Sequence, residues 1–183
     1  MTRAPLLAAA LLLAACSVPG LQPPSEPDRY FILEAPAGAK AQTAVALSPT
    51  SAASFYDTQE MVYSREPDTR AYYQFNHWTE RPQRAIYGQL AGRFEASGKK
   101  PLVLRTRLDE IYHDAAQSPG TARVKLSAEL VDPSKPDAVA RRVFTASAPA
   151  ASYDARGAVR GFDQALGTVL DELVRWVDAQ AAN

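Results

Sequence analysis

Residues 121–130 restrict the fold more than any other stretch of this chain. Ala122, Val124, Leu126, Ala128 and Leu130 alternate with Thr121, Arg123, Lys125, Ser127 and Glu129. A two-residue period specifies a strand with one buried face and one face in water. Antiparallel sheets tolerate such a one-sided burial, whereas all-parallel sheets are covered on both faces. The neighbouring segments fit the same sheet. Residues 102–112 place Leu102, Leu104 and Leu108 on one face and Arg105, Arg107 and Asp109 on the other. After the turn residues Asp132-Pro133-Ser134-Lys135-Pro136-Asp137, a further strand is predicted over 139–148. The three form an antiparallel meander with a polar outer face.

The remaining elements follow from local pattern. Tyr30-Phe31-Ile32-Leu33 is apolar on both sides and is predicted as a central strand. Residues 35–41 are a small-residue loop, 43–47 a second strand, and 51–58 irregular or a single helical turn. Residues 61–65 and 70–79 flank the turn Glu66-Pro67-Asp68-Thr69 and are predicted to form a hairpin. Strict alternation puts Tyr73, Phe75 and His77 on one face of its second strand, and Tyr72, Gln74, Asn76 and Trp78 on the other. Pro82 suits the first turn of a helix. Ile86, Leu90 and Phe94 extend that helix to about Ser97, with Gly98 as its stop. A longer helix over 155–179 carries Val159, Phe162, Leu166, Val169, Leu170, Leu173 and Val177 as an apolar stripe. The order predicts an α+β two-layer sandwich: a mainly antiparallel sheet of six to seven strands with two helices packed on one face.

The N-terminus has a separate character. Arg3 precedes an unbroken apolar run, Leu6 to Ala15. A charged start, a short apolar core and small residues describe a secretory signal peptide, and the run is too short to span a bilayer. Leu13-Ala14-Ala15-Cys16 resembles the lipobox of bacterial lipoproteins. That resemblance implies cleavage before Cys16 and a covalent lipid on its thiol. Cys16 is the sole cysteine in the chain, so no disulfide claims it. The alternative is a plain signal with a chance cysteine. Ser17, where lipoproteins kept in the inner membrane favour aspartate, points by the same resemblance to the outer membrane, facing the periplasm. The expected organisation is signal 1–15, lipidated proline-rich tether 16–28, and one domain over 29–183. The twelve residues after Cys16 could reach roughly 40 Å when extended.

Chemistry is sparse. The 20 basic residues balance the 20 acidic ones. There is no basic tract or aromatic-basic stripe, which argues against nucleic acid. Neither a Gly-x-Ser-x-Gly elbow nor a phosphate loop occurs. His77 and His113 fit no zinc spacing. Asp109, Glu110 and Asp114 flank His113, but the favoured reading is a solvated strand end, with no metal. No catalytic residue and no cofactor beyond the covalent lipid is expected. Tyr63, Tyr72, Tyr73, Phe75 and Trp78 carry two readings. They pack the hairpin on the core, or one face stays open to bind a partner or an acyl chain. The Arg105/Arg107 and Arg123/Lys125 stripes are solvated strand faces by default.

Tyr56-Asp57-Thr58-Gln59-Glu60-Met61-Val62-Tyr63 and Tyr72-Tyr73-Gln74-Phe75-Asn76-His77-Trp78-Thr79-Glu80-Arg81-Pro82 resemble the signature of the ABC-type transport auxiliary lipoproteins, the paraquat-inducible protein C type. Tyr30-Phe31-Ile32-Leu33 matches their first strand. The resemblance implies a non-enzymatic periplasmic accessory of an MCE-type ABC transporter, moving lipid or other apolar molecules between membranes. Its partner would be the MCE-domain substrate-binding protein, and self-association stays open. The competing expectation is an envelope-assembly or cell-wall-binding lipoprotein without a transporter partner.

Overall fold

The computed structural model of the chain describes residues 26–95, 102–135 and 137–181. Cys16, most of the tether and Gly98 lie outside the described residues. The fold is α+β, a mixed eight-stranded sheet with two helices. The strands are β1 (Arg29–Phe31), β2 (Val45–Leu47), β3 (Ser51–Ala52), β4 (Glu60–Ser64), β5 (Ala71–Trp78), β6 (Leu102–Asp114), β7 (Thr121–Val131) and β8 (Ala138–Pro149). The helices are α1 (Pro82–Ala91) and α2 (Ala155–Ala181).

The long ladders are antiparallel, as the alternation in 121–130 requires. β7 lies between β6 and β8, pairing antiparallel with both. Its inward side chains Ala122, Val124, Leu126, Ala128 and Leu130 are buried. The other edge of β6 is met by three short parallel segments in turn: β2 at Leu102–Leu104, β3 at Arg107–Leu108 and β4 at His113–Asp114. Pro49 falls between β2 and β3, where a ladder donor would otherwise be lost. The β4–β5 hairpin forms as predicted and carries β1 on its far side.

Four expectations need correction. First, Tyr30–Leu33 is not central. β1 is an edge strand paired parallel with β5 alone, and Tyr30 and Ile32 are exposed. Phe31 and Leu33 turn toward the core while Tyr30 and Ile32 face outward, so the apolarity on the second side is surface and not core.

Second, β5 does not alternate strictly. Between the Glu60–His77 and Val62–Tyr72 pairs, β4 advances two residues while β5 advances five. An odd step against an even one is a bulge, and it exchanges the faces of the two halves of the strand. Tyr72 and Trp78 therefore part company.

Third, β6 shifts register between Leu108 and Glu110. Inward positions are 104, 106 and 108 before the shift, and 111 and 113 after it. His113 is accordingly buried, not a solvated strand end.

Fourth, α1 stops at Ala91 instead of running to Ser97. Gly92 is its C-cap, with its N–H bonded to Gly88 O. Arg93 then turns inward to Asp171 and Pro36 O, while Phe94 stays buried without being helical. The sheet also gains β3, which lies within the stretch read as irregular.

α2 packs across β7 and β8 through Phe162, Leu166, Val169, Leu170, Leu173, Val174 and Val177, all buried. Asp154 caps its start, accepting the Gly157 N–H at 2.7 Å, and this bond holds its carboxyl below the ordinary range. Asp163, Asp171 and Asp178 share one side of the helix. That side grips the small-residue segment after β1. Asp163 accepts the Glu34 N–H, and Asp178 accepts those of Gln42 and Thr43. From α1, Gln89 bonds Leu33 O and the Ala35 N–H. Beyond the buried Leu33, the 34–43 segment is thus a strap between the two helices, seated by polar side chains and not by large apolar ones.

Candidate functional site

The described residues show how the hairpin aromatics are placed, and they do not form one cluster. Trp78 is 2% exposed, its ring edge-on to Phe162 at 5.5 Å. It is a core residue joining β5 to α2. Tyr63 and Tyr73 lie ring to ring at 4.7 Å, with the Arg65 guanidinium 5.2 Å from the Tyr63 ring. Phe75, within the irregular part of β5, is half-buried.

Tyr73 belongs to a polar knot at the loop end of the sheet. Its hydroxyl lies 2.7 Å from His113 Nδ1, and His113 Nε2 lies 3.1 Å from Pro119 O. A carbonyl only accepts, so Nε2 carries the proton. Nδ1 then accepts from Tyr73. Burial pushes the His113 pKa down and the Tyr73 pKa up, so both stay neutral at this contact. Gly120 has φ 90°, and a Cβ there would strike the His113 ring. Tyr153 closes the knot by donating its hydroxyl to Ala115 O at 2.7 Å. The arrangement leaves His113 no free nitrogen with which to act as a base.

Tyr72 points the other way. It is 42% exposed and stacks on Phe55 at 4.7 Å with an interplanar angle of 11°. Its hydroxyl donates to Phe55 O. Phe55 sits in a 3-10 turn, Ser54–Tyr56, which follows β3. Tyr56 fixes that turn on the sheet. Arg70 Nε donates to the Tyr56 hydroxyl at 3.2 Å, and the same guanidinium lies 3.6 Å from the Tyr112 ring centroid. The result is an exposed aromatic pair on a rigid support. Phe55 and Arg70 were not singled out from sequence, and Tyr56 entered only as the first residue of the family-like segment. The aromatic doublet within a stretch otherwise lacking periodicity was the available signal.

The basic stripes of the outer face are largely neutralised. Arg107 meets Asp109, Arg123 meets Asp114 and Lys125 meets Glu110. Exposed pairs of this kind contribute little to stability, but they remove the bare charge that would attract an acidic partner. A depression of about 480 Å³ beside the β6–β7 loop is lined by Asp114, Gln117, Ser118, Pro119 and Arg123 among others, and holds no histidine. Among the described residues no group of three or more His, Cys, Asp or Glu could hold a metal ion. Among the same residues no helix is long and apolar enough to cross a membrane.

The family described as ABC-type transport auxiliary lipoprotein component matches residues 32–174. The chain belongs to this family, and is an auxiliary lipoprotein component of ABC-type transport systems. No curated protein matches the chain. Among solved structures it is similar to protein XCC0632 from Xanthomonas campestris, with a TM-score of 0.73 and 23% identity over 84% of this chain and 97% of that one. An uncharacterized protein is similar at a TM-score of 0.66 and 10% identity, over 83% of this chain and 99% of the other. At these identities the likeness concerns the fold alone.

Proposed function

We propose that the chain is held in the outer membrane by lipid on Cys16 and faces the periplasm. There it serves an MCE-type ABC transport system as a non-enzymatic docking component. The system would carry lipid or another apolar substrate between the membranes. The observation that supports a docking role is the exposed Phe55–Tyr72 stack. Aromatic pairs on a rigid support bury large apolar area at low entropic cost, the character of interface hot spots. Of the other hairpin aromatics, Tyr73 pairs with Tyr63 on the side opposite Tyr72, and Trp78 lies in the core.

Co-purification with the MCE-domain protein of the same system tests the reading. Tyr72→Ala and Phe55→Ala should each weaken that complex at least tenfold while the domain stays folded; a hot-spot truncation costs about 2 kcal/mol or more. Retained affinity in both variants would remove the stack as the docking site. Binding to peptidoglycan in a pull-down, without any transporter partner, would move the protein to the cell-wall-binding class.

A further inference from the structure

We propose that Tyr30 and Ile32 form a membrane-contact site that rests on the phospholipid surface beside the lipid anchor. This inference depends on the anchoring of Cys16. Singly exposed apolar side chains need no occupant, so position must select this pair. Tyr30 is 60% exposed and Ile32 64% exposed, and they are separated by the two-residue period that puts side chains on one side of a strand. Tyr30 lies in β1 on an open sheet edge, and Ile32 one position past the end of that strand. With Phe31 between them, they are the first and third large apolar residues after the tether, two and four positions beyond Asp28.

The tether bears on the occupant. Twelve residues link Cys16 to β1, a reach of roughly 40 Å at full extension and less when relaxed. The domain is therefore confined near the bilayer, and a patch too weak to bind membranes from solution is presented at high effective concentration. A tyrosine beside an aliphatic residue suits the headgroup level, where an amphipathic ring sits. Asp28 and Glu60 face the two nitrogens of His77 at 3.5 and 2.9 Å, and the His77 ring lies 5.3 Å from Tyr30; Glu34, two positions beyond Ile32, is exposed.

The test uses the full acylated chain in vesicles of phosphatidylethanolamine and phosphatidylglycerol. Acylation consumes the chain's own cysteine, so Ile32→Cys would supply a unique thiol for an environment-sensitive fluorophore. Val143→Cys, exposed on β8 at the opposite sheet edge, is the control. The label at 32 should brighten several-fold on reconstitution and be quenched by nitroxide-bearing lipid, with no such change at 143. Vesicles that float with the protein but give no change at 32, or an equal change at both positions, would overturn the contact site while leaving the anchor intact. A protein that fails to float would overturn the anchor and the site together. If Ile32→Cys fails to fold, Tyr30→Cys, two positions back on the same side, takes the label, read against the same outcomes.

Discussion

Trp78 and Tyr72 stand six positions apart on one strand and do opposite work. Trp78→Ala removes a buried ring from its contact with Phe162 and should cost about 3–5 kcal/mol of stability, read as a large fall in denaturant midpoint. Tyr72→Ala removes one exposed stacking contact, worth about 0.5–1.5 kcal/mol. Equal losses in the two variants would mean that the Phe55–Tyr72 pair is structural. His113 supplies the pH dependence. Burial depresses its folded pKa below the ordinary 6.5. In the window between the depressed value and 6.5 the unfolded chain binds more protons than the folded one. Stability therefore rises with pH through that window, is fully present above it, and is lost as pH falls into it. Thermal unfolding at pH 5 to 8 should show this slope, and His113→Gln should flatten it.

At the scale of elements, the informative features are the places where a strand changes phase. Both bulges act alike: a single odd step moves Trp78 into the core in β5 and His113 into the core in β6. The strap is a second case. Its residues are mostly small, and α2 seats it through Asp163 and Asp178, with Asp171 acting through Arg93. Asp178→Ala should free the Gln42 and Thr43 amides, costing about 1–2 kcal/mol. Hydrogen exchange at those two amides should speed up while the β7 amides stay protected. Unchanged exchange would mean that the strap is held by packing.

At the scale of the whole molecule, the proposed arrangement is a folded domain held by lipid on Cys16 through a proline-rich tether. Folding and anchoring are then separable. Cys16→Ala should leave the unfolding midpoint unchanged and abolish flotation with vesicles, because no described core residue lies before Leu33. A shifted midpoint would mean that the N-terminal segment packs on the domain.

The sheet with one solvated face, the hairpin and the long terminal helix were legible in the sequence, because each rests on a local period. The end of α1 was not. Ile86, Leu90 and Phe94 keep helical spacing past Gly92, and nothing local says that Arg93 will turn inward to meet Asp171 on another helix. The candidate site was half legible. Tyr72 was visible as an aromatic, but its partner Phe55 comes from a turn whose position is set by Arg70, Tyr56 and Tyr112.

By itself, then, the sequence determined the long antiparallel strands, the hairpin and the terminal helix. The tertiary structure alone decided that β1 is an edge strand, which aromatics are core and which surface, and that His113 is a sealed neutral contact. The physical reason is range. Alternation and capping act over a few residues, whereas a strand's edge and its phase beyond a bulge depend on which distant strands pair with it.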